Sequence, residues 1–181
     1  MKILTIDPSV ENMGYAVFDK ASKNLIGHGL IHPDKESKKD ELSRYYNIID
    51  KVYTIYDKYD CGLIIMEVPE HRVQGGYMAR ESGAMHKLTF FCGMLFGSFD
   101  QDKIKGYTPK EWKGSLPKHV MTLRIAKNHP KLKKLLIDEK DIYKCVDCSN
   151  KHQKVDHARI VLNHNIIDAV GIGIKYLYGQ V

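Results

Sequence analysis

The stretch Ile3-Leu4-Thr5-Ile6-Asp7-Pro8-Ser9-Val10-Glu11-Asn12-Met13-Gly14-Tyr15-Ala16-Val17-Phe18 decides the fold. Residues 3–6 are a short apolar run that stops at an acid. Residues 14–18 (GYAVF) read as a second strand and residues 24–31 (NLIGHGLI) as a third. The connections between them are short and carry Pro, Asn, Gly or Ser, as hairpin connections do. The chain therefore opens as a three-stranded antiparallel meander.

Beyond the meander the apolar period changes. Leu42, Tyr45, Tyr46, Ile49, Val52, Tyr53 and Tyr56 recur at three- and four-residue steps, which predicts an amphipathic helix over 40–58 with its tyrosines in the core. Residues 62–68 (GLIIMEV) are apolar except for Glu67. That pattern is a buried strand lying parallel to the first after a helical crossover. Residues 76–97, rich in Gly, Ala and Met, predict a second long helix whose small residues allow close packing on the sheet. Residues 104–107 are a fifth strand. Thr108-Pro109 opens a helix, with Thr as N-cap and Pro in the first turn. Residues 118–137 read as helix with a break at Pro130, 138–158 as polar and irregular, and 163–178 as a C-terminal helix. The order is α/β: one mixed five-stranded sheet, antiparallel meander first and βαβ crossovers after, flanked by helices. Its 181 residues suit a single domain over 1–181.

Composition narrows the function classes. The hydrophobic fraction of 43% supplies a real core and argues against disorder. No apolar run approaches the roughly 18–20 residues that span a bilayer. The first residues turn acidic too soon for a signal peptide, so a cytoplasmic protein is expected. The formal charge of +6 is unevenly spread. Residues 101–154 hold 14 Lys and Arg against 6 Asp and Glu, whereas the rest holds 14 against 16. A localised basic segment suits either a polyanion such as nucleic acid or a solvated lysine-rich face. Four cysteines in a chain without a secretory signal do not make a disulfide framework. Cys61 and Cys92 sit in apolar contexts and read as buried thiols.

Three acids interrupt apolar patterns. Asp7 ends the first strand, Glu67 lies in the fourth, and Asp168 sits in Ile166-Ile167-Asp168-Ala169-Val170 of the last helix. A buried carboxylate without a partner is costly, so three of them on elements that pack together need one explanation. Neighbouring strands lie about 4.8 Å apart, and a helix crossing them can bring Asp168 alongside Asp7 and Glu67. Oxygen ligands of this kind suit Mg²⁺ or Mn²⁺. Two such ions in one site promote phosphodiester hydrolysis.

These residues carry a family resemblance. Residues 6–17 resemble the opening of RuvC-type Holliday-junction resolvases of the RNase H superfamily, in which an acid and Pro-Gly precede a short loop and a Gly-Tyr strand. Ile64-Ile65-Met66-Glu67 resembles the family's second acidic strand. Asn165-Ile166-Ile167-Asp168-Ala169-Val170-Gly171-Ile172 resembles its C-terminal helix. Tyr107-Thr108-Pro109-Lys110-Glu111-Trp112-Lys113-Gly114, with Lys118, is similar to the basic stretch before its DNA-facing helix. The resemblance spans nearly the whole chain, and the compact size is similar to phage versions, which would act in the host cytoplasm. It implies an RNase H-like fold and a homodimeric, Mg²⁺-dependent endonuclease that cuts four-way DNA junctions symmetrically. Two positions depart from the pattern. Ser9 stands where the family usually has Gly, which is tolerable if the backbone there is not left-handed. Asn165 stands where the family has an acid or His, leaving Asn165 or His164 to complete the set Asp7, Glu67 and Asp168. Asn165 also motivates the alternative of a non-catalytic junction binder. A kinase-like or actin-like ATPase shares the strand order but wants a Gly-rich phosphate loop after the first acid, and residues 7–12 lack one.

Lys113 and Lys118 flank a turn-like break and are placed to meet a scissile phosphate. Arg72, Gln74, Tyr77 and Arg80 follow Glu67 closely and are candidate DNA contacts. Trp112 reads as packed under its helix rather than stacked on a base. Cys145-x2-Cys148-x3-His152-x4-His157 has the ligand types and spacing of a structural zinc site within 138–158, against the alternative of a reduced CxxC with unrelated histidines.

Overall fold

A computed structural model describes residues 1–70, 83–116, 118–132 and 164–179. The meander forms as the sequence predicts. Strand β1 (Lys2–Asp7) pairs antiparallel with β2 (Met13–Asp19), and β2 pairs antiparallel with β3 (Leu25–Ile31). Helix α1 (Glu41–Lys58) crosses over to β4 (Cys61–Glu67), which runs parallel to β1 with Ile6 opposite Met66. Helix α2 (Ala84–Gly97) leads to β5 (Ile104–Tyr107), parallel to β4. The sheet order is β3-β2-β1-β4-β5. Two helices follow, α3 (Pro109–Lys113) and α4 (Lys118–Asn128), with a 3-10 turn at Pro130–Leu132. The last helix is α5 (His164–Tyr178). The predicted helical residues 76–82 and 133–137 and the irregular segment 138–158 lie outside the described residues. No helix among the described residues is long and apolar enough to cross a membrane.

Each strand alternates between two cores, because successive side chains point to opposite faces. Ile3, Ala16, Phe18, Leu63 and Ile65 pack with Trp112, Met121 and the inner side of α5. Leu4, Ile6, Val17, Ile64 and Met66 pack with α1 and α2 on the other face. The buried stripe of α1 is Tyr45, Ile48, Ile49 and Val52. This differs from the predicted one: Leu42 and Tyr46 face outward, at 49% and 60% exposure. At 3.6 residues per turn a stripe centred on 45, 48, 49 and 52 leaves position 46 about 100° off the seam.

The small residues that permit close packing also sit elsewhere than expected. A Cβ on Gly93 or Gly97 of α2 would meet nothing within 4 Å. The tight seam is between α5 and the meander. A Cβ on Gly173 would lie 2.2 Å from Phe18, and one on Gly171 would lie 2.6 Å from Trp112. At Gly14 it would lie 2.0 Å from the Asn165 carbonyl oxygen, so the start of α5 rests directly on β2. Thr5 fastens the same seam: its buried hydroxyl donates to the Ala169 carbonyl at 2.7 Å, with the Ala16 carbonyl at 3.2 Å.

Candidate active site

Asp7 and Glu67 end two adjacent parallel strands. Asp7 has the same parity as Ile3 and Thr5, and Glu67 the same parity as Leu63 and Ile65. Both therefore belong to the sheet face that α5 covers. On α5, Asp168 precedes the residue whose carbonyl receives Thr5, and it is 3% exposed. The three acids thus share one face and one end of the sheet. Cys92 of α2 senses two of them: burial pushes its thiol up to about 12, and the negative charges of Glu67 and Asp7 add to the shift. Among the described residues no three His, Cys, Asp or Glu side chains converge into a ready metal-binding group.

Glu67 has specific partners. Its Oε2 accepts a 2.6 Å hydrogen bond from Trp112 Nε1 and lies 3.7 Å from Lys113 Nζ. The Lys113 ammonium also sits 4.7 Å from the centre of the Trp112 ring. Both residues come from α3, whose start is fixed by a capping box. Glu111 N–H donates to Thr108 Oγ1, Thr108 N–H donates to Glu111 Oε2 at 2.7 Å, and Pro109 opens the first turn. These bonds hold the Glu111 carboxyl below the usual carboxylate range. A five-residue helix thereby aims an N–H and a cation at one carboxylate oxygen.

Asn165 is half-buried. Its Nδ2 donates to the Asn12 carbonyl, tying the start of α5 to the β1–β2 loop. That loop is also stapled by Ser9, whose Oγ accepts from Glu11 N–H at 3.3 Å and Asn12 N–H at 3.2 Å. Among the described residues positive φ at a non-glycine occurs at Lys23 and Asp60. Ser9 is therefore not left-handed, and the departure from glycine carries no strain.

His164 opens α5 and Lys118 opens α4; neither side chain is among those described. Arg72, Gln74, Tyr77 and Arg80 lie outside the described residues, as do Cys145, Cys148, His152 and His157. Trp112 is 2% exposed, as its reading under the helix anticipates. Its bond to Glu67 was not anticipated. The signal for it was the indole itself, since a buried Trp N–H needs an acceptor.

A curated relative, the crossover junction endodeoxyribonuclease RuvC of Campylobacter hominis, is 30% identical over 122 residues, covering 62% of this chain and 68% of the relative. The chain belongs to the RuvC family. No family model matches it. Among solved structures, Thermus thermophilus RuvC in complex with a Holliday junction substrate aligns with a TM-score of 0.58 at 12% identity, covering 99% of this chain and 95% of that one. A second structure of T. thermophilus RuvC gives 0.54 at 13% identity, with the same coverage. The RuvC fold thus extends across the described residues, and the mixed sheet with its covering C-terminal helix is the RuvC architecture.

Proposed function

We propose that this chain is an endonuclease that resolves four-way or branched DNA junctions, with Asp7, Glu67 and Asp168 as its metal ligands. The observation that carries the reading is a RuvC-family chain in which Asp7 and Glu67 end adjacent parallel strands on the sheet face covered by the helix that carries Asp168. Their donor set fits a hard divalent cation, since every side-chain donor is oxygen. Asp168, buried within the seam, is the type of group whose charge a cation offsets. Two Mg²⁺ or Mn²⁺ ions, when bound, would activate the attacking water and stabilise the leaving oxygen.

The remaining roles belong to the chain. Asn165 Oδ1 or His164 completes the oxygen and nitrogen donors at the start of α5. Asn165 spends its Nδ2 on Asn12, which turns its other atom into the candidate ligand. Lys113, beside Glu67, would meet a phosphate that approaches the acids, and Lys118 would follow across the break. Arg72, Gln74, Tyr77 and Arg80 would contact the junction, and the basic segment 101–154 would hold its backbone without reading sequence. Symmetric cutting needs two active sites, and one chain carries one. A homodimer supplies the second, and the outward Leu42, Tyr46 and Phe90 (57% exposed) on α1 and α2 are surfaces for it. Zinc at Cys145, Cys148, His152 and His157 is a separate structural proposal, tested by metal analysis of the purified protein.

A labelled synthetic four-way junction tests the reading. With Mg²⁺ the wild type should cut it into paired nicked duplexes. Asp7→Asn, Glu67→Gln and Asp168→Asn should each lose cutting and retain junction binding. Binding without cutting by the wild type, in Mg²⁺ or Mn²⁺, would instead establish the non-catalytic junction binder.

A further inference from the structure

The indole of Trp112 is held on every side. It lies in the core between the sheet and α5, so close to Gly171 that a Cβ there would come within 2.6 Å of Cζ3. Its backbone is fixed by the capping box of α3. The N–H therefore cannot wander, and it is spent on Glu67 Oε2 at 2.6 Å. A charge-assisted bond of this length is among the stronger hydrogen bonds a protein makes. The Lys113 contact falls on the same oxygen. Oε1 takes neither contact, so it is the oxygen left for a further partner.

We propose that Trp112 is a positioning residue for Glu67: it anchors Oε2 so that Oε1 is presented to a divalent cation. The proposal rests on Glu67 being a metal ligand. Glutamate has three rotatable bonds, and ordering them is a cost that metal binding must otherwise meet. The indole meets it in advance, through packing that α3 and α5 already supply. Hydrogen-bonded partners of metal ligands act in this way, and removing one typically weakens metal binding about 10- to 100-fold.

Trp112 is the sole tryptophan in the chain, so its fluorescence reports this one bond. In the wild type, Mg²⁺ titration should shift the indole emission with the same midpoint that calorimetry gives for Mg²⁺ binding. The shift should be absent in Glu67→Gln. No shift in the wild type while calorimetry shows binding overturns the positioning role. Trp112→Phe keeps the ring and removes the donor. It should bind Mn²⁺, measured by electron paramagnetic resonance of the free ion, about tenfold more weakly than wild type. Unchanged or tighter binding in Trp112→Phe, with binding lost in Glu67→Gln, refutes the positioning role and leaves Glu67 a ligand. Wild-type Mn²⁺ affinity in Glu67→Gln removes the ligand role itself, and the proposal with it. If Trp112→Phe does not fold, the wild-type emission titration decides alone.

Discussion

Replacing Gly14 with alanine tests the seat of α5 more directly than any other change. Gly14 pairs with Asp7 across β1 and β2. A Cβ there would lie 2.0 Å from the Asn165 oxygen, 2.2 Å from its carbonyl carbon and 2.7 Å from Ile166 N. All three are backbone atoms of a helix start and cannot swing aside as a side-chain tip does. Contacts under 3.0 Å do not occur for real Cβ atoms, so the start of α5 must retreat by about 1 Å in a close-packed interior. Overpacking of this kind costs about 3 kcal/mol. At about 2–4 °C per kcal/mol for a chain of this size, melting should fall by roughly 6–12 °C. The retreat also carries Asn165 and Asp168 away from Asp7, and a misplacement of about 1 Å lowers catalysis about a hundredfold. Thermal unfolding followed by circular dichroism and single-turnover junction cleavage measure the two effects. A Gly14→Ala protein that melts within a degree of wild type and cuts at the wild-type rate would refute the close seat of α5.

Thr5→Val keeps the shape of the buried side chain and removes its donor to Ala169. It should lower unfolding free energy in urea by about 0.5–1.5 kcal/mol, the net worth of one hydrogen bond, because the Ala169 carbonyl keeps its partner within α5; a change below a few tenths would count against the fastening role. Thr108→Ala removes the N-cap of α3 and should cost about 1 kcal/mol, with weakened Mn²⁺ binding as Trp112 loosens. Burial raises the thiols of Cys61 and Cys92 from 9.0 to about 11 and about 12. The unfolded chain therefore loses these protons first as pH rises. Stability should fall from about pH 9 upward, by up to tenfold in the folding constant per pH unit for each thiol until its folded pKa is reached. Cys92→Ala should flatten that slope in urea melts at pH 9–10.5, and an unchanged slope would exclude Cys92 as its source.

The fold was legible because its signals are local. The short runs at residues 3–6 and 14–18, the helical period of α1 and the Thr108-Pro109 cap each occupy a stretch of nearby positions, and each led to the observed element. The acids were legible because they break an apolar pattern, and parity along a strand places Asp7 with Thr5 and Glu67 with Ile65. What stayed hidden depends on contacts between distant positions. The rotation of α1 that exposes Leu42 and Tyr46 is set by where the sheet lies. The tight seam sits at Gly14, Gly171 and Gly173 rather than in α2, because closeness is a property of two surfaces. Glu67 and Trp112 are 45 positions apart, and no local pattern pairs an acid with an indole at that distance.

The seat of α5 has a mechanical corollary. A helix that rests on Gly14 and is pinned through Thr5 and Asn165 has no slack toward the sheet. If the carboxylates beneath α5 are the catalytic site, that face acts as an anvil: the branched duplex would have to bend, unstack or rotate its arms to bring a phosphodiester onto them. Such stiffness would select among DNA structures, since substrates already open at a branch point deform at lower cost than a continuous duplex. A rigid protein can in this way discriminate by the compliance of its substrate, without touching a base.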